Sequence, residues 1–182
     1  AAAAPAAAIR PAPTPAAASD YDNFNKAYEK RDHAKAAKIA VGITIQNPSV
    51  TALERFGDAC EYAGRIPDAL RFKTERLYHK DYYSTISTSV VFKEARAIGQ
   101  LAARSKVQPE DVIIAAITAL ESGDTLGGLQ QLHELYTRRS YGIVRDLAAD
   151  GLTFYLFPAI ESAVLRNDRE QAAARVKCRK PW

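Results

Sequence analysis

The chain has 182 residues and a net charge of +4, with 47% hydrophobic and 25% charged residues, enough length to bury a core and an ordinary globular composition. No apolar run approaches the roughly 18–20 residues a membrane span needs, the richest, Gly151 to Leu165, being short and interrupted by Glu161. A pI near 9.1 permits contact with nucleic acid or an acidic protein surface without requiring either.

Residues 1–19 are almost wholly Ala and Pro, with Arg10 the only charge, a composition with little to bury and too many prolines for a stable helix. They are expected to form a flexible tail. The alanine start fits the remnant of a removed targeting peptide, and trimming of the sequence fits it nearly as well. If processing is the cause, a mitochondrial address suits the chain better than secretion. Two cysteines, Cys60 and Cys178, make neither a disulfide framework nor a zinc site.

From residue 20 a short motif returns four times, at residues 30–37, 63–70, 122–129 and 166–173. Each copy has a turn-prone residue or polar pair, a short gap, and then small residues where two helices can approach closely. The second copy is the clearest. Leu53, Phe56 and Cys60 lie at the spacing of one helical face, and Cys60 is expected as a buried free thiol. Gly64 can take the left-handed conformation that ends a helix, and Pro67 fits the first turn of the next, which continues through Ala69, Leu70, Phe72 and Leu77.

The turn residues Arg31, Gly64, Gly123 and Asn167 are 33, 59 and 44 positions apart. The first interval is one hairpin repeat. The second leaves room for an extra helix at about 90–105, carrying Val91, Ala95, Ile98, Leu101 and Ala102. In the third copy Pro109, Glu110 and Asp111 open a helix with Ile113, Ile114, Ala116, Ile117 and Leu120 on its apolar surface. Gly123 breaks it, and Leu126, Leu129, Leu132 and Tyr136 place a stripe on the partner helix. A longer connection is expected around 140–151, before the fourth copy. Hairpins of this size cannot cover their own apolar faces, so stacking on neighbours must supply the core. The predicted fold is all-α, a short α-solenoid of helix–turn–helix repeats over residues 20–176, with a basic C-terminal tail at 177–182.

Residues 51–72, with the run Ala63-Gly64-Arg65 and the pair Ala69-Leu70, resemble a pentatricopeptide repeat, and residues 107–124 repeat the pattern; the tetratricopeptide repeat is the nearest competitor, its Gly and Tyr positions being only partly met, through Gly57 and Tyr28. In sequence-reading members of that family, polar residues early in each first helix select one base per repeat. The matching positions here are Tyr21, Glu54, Ile113 and Phe157, and none is the Asn, Ser or Thr that such a code uses. A short chain with a few irregular repeats and an Ala/Pro start is also similar to the small, eighteen-kilodalton extra F1 subunit of euglenozoan mitochondrial ATP synthases. That resemblance implies a non-catalytic protein docked on the outside of the F1 head, against the α subunit, on the matrix side of the inner membrane, with no cofactor of its own.

The residues suggest no competing chemistry. His33, His79 and His133 have no metal-ligand spacing. Gly123 to Gly128 lacks the lysine and hydroxyl of a phosphate loop. Cys60 on an apolar face is a poor nucleophile. A small hydrolase or transferase would need a polar constellation that the sequence does not offer. The expected function is therefore partner binding by an accessory subunit, with organellar RNA binding as the alternative. Candidate partner contacts are the aromatic pair Tyr82 and Tyr83, and the terminal group Lys177, Arg179, Lys180 and Trp182, which joins a cationic cluster to the only tryptophan.

Overall fold

The computed structural model describes residues 15–43, 48–138 and 142–178. Among them nine helices and no strand occur, so the chain is all-α. The contacts divide it into two compact units, residues 1–72 and 73–182, the division falling inside the fourth helix. Residues 20–176, expected from the sequence as the helical-repeat domain, extend over both units.

The first unit contains α1 (Pro15–Glu29), α2 (His33–Gly42), α3 (Val50–Tyr62) and the beginning of α4 (Ile66–Leu77). Helix α1 starts four residues before the expected tail ends. Pro15 is its first residue, where a missing N–H is harmless, and three alanines follow. Residues 1–14 lie outside the described residues. The core joins Phe24 and Ala27 of α1, Ala36, Ala37 and Ala40 of α2, Leu53, Phe56 and Cys60 of α3, and Ala69 and Phe72 of α4. The alanines of α2 let α1 and α3 come close on either side, and Phe24 meets Phe56 edge-to-face at 4.7 Å. Cys60 is fully buried and free. Burial, chiefly, and then the charge of Asp68 push its thiol up to about 11. We expect no alkylation of Cys60 by iodoacetamide at pH 8 in the folded chain and rapid labelling of it in denaturant, followed by peptide mass spectrometry that resolves Cys60 from Cys178.

The second unit runs from the end of α4 through α5 (Lys80–Tyr83), α6 (Thr88–Ser105), α7 (Val112–Glu121), α8 (Thr125–Thr137) and α9 (Ile143–Cys178). Each of α6 to α9 packs on its neighbour in sequence, and α9 also returns to touch α6 and α7. The predicted apolar stripes of α6 and α7 are all buried. Helices α6 and α7 approach so closely that a Cβ on Gly99 would lie 2.6 Å from Ile117 Cγ2. Asp111 caps α7, accepting from the amides of Ile113 (3.0 Å) and Ile114 (2.9 Å). Asp111→Ala should lower stability by about 1 kcal/mol in urea denaturation, while Asp111→Asn keeps most of it.

The repeat is written in the backbone. Arg31, Gly64, Lys106 and Gly123 all have positive φ. At each, the following amide bonds back five residues: Asp32 to Ala27, Arg65 to Cys60, Val107 to Ala102 and Asp124 to Ala119, at 2.8–3.0 Å. This is the same helix-ending motif four times. Asp32 and Asp124 then cap the next helix directly. The turn predicted at Asn167 does not form. Helix α9 is continuous for 36 residues, and it also takes up residues 143–151 of the expected connection. Asn167 has no glycine beside it, and the described side chains around it on α9, from Ile160 to Asn167, are exposed. Pro158 lies within this helix, so the carbonyl four residues earlier, at Phe154, lacks its amide partner.

Candidate partner-binding surface

Two polar clasps hold the second unit. In one, Arg76 of α4 donates to Glu94 of α6 at 2.6 Å and lies over the Tyr82 ring, whose hydroxyl also donates to Glu94. Tyr82 is only 5% exposed, and burial, with the Glu94 carboxylate beside it, pushes its phenol up to about 12. Tyr82 is therefore a structural strut and not the surface anchor expected from sequence. Its neighbour Tyr83 is 40% exposed and remains accessible.

In the other clasp Glu121 of α7 accepts from Arg96 Nε (2.6 Å) and Gln100 Nε2 (3.0 Å) of α6 and from the Tyr155 hydroxyl of α9. Burial pushes the Glu121 carboxyl up, but the bonds from Tyr155, Arg96 and Gln100 outweigh it and hold it below its ordinary value. The Tyr155 phenol is pushed up by burial and by Glu121. The Arg96 guanidinium also covers Phe154 at 4.6 Å. Three helices thus converge on one carboxylate, which fixes where α9 leaves the body.

Beyond that point α9 is uncovered. Leu147, Ala148 and Gly151 are buried and Tyr155 half-buried. Leu156, Phe157, Ile160, Val164 and Leu165 are 38–66% exposed. Leu126, expected in the α8 stripe, is likewise at the surface, since Gly128 and Leu132 supply the buried face. Of the positions aligned with base-reading residues, Ile113 is fully buried, Tyr21 half-buried, and Glu54 and Phe157 exposed.

Lys177 falls in the last turn of α9 with its side chain outside the described residues, and Arg179, Lys180 and Trp182 lie outside them altogether. The extent of the exposed half of α9 is not legible in the sequence, because the turn expected at Asn167 would fold this stretch back against a partner helix, whereas α9 runs on through it. The available signal was the apolar spacing itself, followed by no glycine.

A shallow groove of about 410 Å³ separates α1 from α2 in the first unit, edged by Lys26, Lys30, Lys35, Asp20 and Asp32. Its charges offset one another, and Asp32 already caps α2. Among the described residues no three His, Cys, Asp or Glu side chains gather at metal-binding distance. Nor is any described helix long and apolar enough to cross a membrane. No family model, curated protein or solved structure matches the chain.

Proposed function

We propose that this chain is a non-catalytic accessory subunit that binds, through its helical-repeat surface, the outside of the F1 head of a mitochondrial ATP synthase, against the α subunit. One observation supports partner binding above the rest: a folded all-α chain leaves Leu156, Phe157, Ile160 and Val164 exposed along one face of a single helix. Contiguous apolar surface of that kind marks a protein contact more often than a solvated face. The choice of partner rests on the sequence resemblance described above. Base-by-base RNA reading is disfavoured because Ile113, at one of its reading positions, belongs to the core.

The test is reconstitution. F1 heads prepared without this subunit are mixed with the purified chain and examined by native mass spectrometry. A defined stoichiometric complex, with no nucleotide turnover by the chain alone, is the expected result. Absence of a complex, or tight salt-sensitive RNA binding by the isolated chain, would refute the proposal.

A further inference from the structure

Helix α9 changes from a clamped element to a free one within a single turn. Its first half, to Tyr155, is packed on α6, α7 and α8. The clamp holds up to its last residues. A Cβ on Gly151 would lie 2.8 Å from Leu132 Cδ1 of α8. Phe154 lies 4.6 Å under the Arg96 guanidinium and 5.7 Å from the Phe92 ring, both of α6. The Tyr155 hydroxyl donates to Glu121 of α7. Past Tyr155, every described side chain up to Glu170 is exposed except Ala159, which is half-buried.

Pro158 stands at that boundary. An α-helix resists bending at any point through the backbone bonds that cross it, each from an amide to the carbonyl four residues earlier. Just before residue 158 these would join the amides of residues 158–161 to the carbonyls of residues 154–157. Proline has no amide, so the first of them is missing, and its ring presses on the Phe154 carbonyl as well. In a packed helix the neighbours make good such a loss. Here the side chains beyond are exposed, so the weakened backbone alone sets their direction. Gly151, the one glycine within α9, cannot share the bending, because it is buried against Leu132.

We infer that residues 154–158 form a hinge, about which the second half of α9 changes direction while the rest of the second unit keeps its shape. Sharp kinks at helical prolines exceed about 20°. Arg166 lies about 12 Å beyond Pro158 at the ordinary helical rise, so a swing of that size carries it roughly 4 Å. The first half does not follow, since its movement would draw Tyr155 from Glu121 and Gly151 from Leu132. The motion is confined to the arm. One fixed body can therefore present the exposed residues 156–170 at several angles. This property belongs to the chain by itself and stands apart from the accessory-subunit reading.

The test measures distances by double electron–electron resonance in the full chain, with Cys178→Ser leaving only the buried Cys60 as a native thiol. Nitroxide labels on Ala97→Cys of α6 and Arg166→Cys report on the arm. Labels on Ala97→Cys and Thr153→Cys report on the clamped half. These three positions are exposed, so each labelled chain should keep the parent's circular dichroism and thermal melt. The arm pair is expected to give a distance distribution about twice as wide as the clamped pair, or wider. Pro158→Ala restores the missing bond at an exposed position, and should bring the arm pair close to the width of the clamped pair.

Equal widths for the two pairs with Pro158 in place would refute the hinge, whatever the alanine variant does. An arm pair that stays equally wide in Pro158→Ala would refute it too, since the looseness would then lie along the whole arm. Hydrogen exchange gives an independent check. Protection of the amides at 147–153 should be the same with proline and with alanine at 158, and a gain there would mean that the proline loosens the body, which also overturns the inference.

Discussion

Phe24→Ala is expected to cost the first unit about 3–5 kcal/mol, the range for truncating a fully buried aromatic. The ring is completely shielded from solvent and contacts Phe56 edge-to-face and Tyr21 and Tyr28 side by side. Its neighbours cannot close the void. The facing residues of α2 are alanines, which have no side-chain freedom with which to refill the space. Urea denaturation followed by far-ultraviolet circular dichroism should show the loss, and Phe24→Leu should recover more than half of it. A drop under 1 kcal/mol for the alanine variant would mean that the aromatic cluster does not hold α1 in place.

The second large effect belongs to Glu121. Replacing it with alanine removes the acceptor shared by Arg96, Gln100 and Tyr155 and leaves a guanidinium beside Phe154 without its carboxylate. Breaking a fully buried pair costs about 3–5 kcal/mol. Arg96 is 37% exposed and can rehydrate, so a loss of about 2–3 kcal/mol is expected. Because the folded carboxyl is held below its ordinary value, its contribution is fully present above the unfolded value near 4.3. It is lost as pH falls through the lower folded value. Acid titration of the parent should show that component, and Glu121→Gln should lack it. If the alanine variant melts like the parent, α9 is not held by this clasp.

Much of the helical organisation can be read from particular residues. The turns at Gly64 and Gly123 are legible because glycine relieves the left-handed backbone there, and the runs Val91–Ala102 and Ile113–Leu120 keep a helical period. The turn at Lys106 is not legible. A lysine occupies the left-handed position, and nothing in its chemistry announces that role. Asn167 misleads for the opposite reason, being a turn-prone residue in a helix that nothing obliges to reverse.

The candidate site was harder to read than the fold. Tyr82 and Tyr83 are adjacent and chemically alike, and only the position of Glu94 across the interface decides which of them turns inward. The Glu121 clasp joins residues 25 and 34 positions apart on three helices, a separation at which sequence spacing carries no information.

The uncovered half of α9 has a thermodynamic consequence for any association it makes. A helical segment without tertiary support is marginal in water, because ordering each residue is opposed by conformational entropy and little is buried in return. Pro158, with its missing amide bond, weakens the cooperative link to the anchored turns. The segment therefore gains much of its order when its apolar face is covered. Measured affinity then falls short of what the contact area alone suggests, and calorimetry should record favourable enthalpy opposed by an ordering entropy.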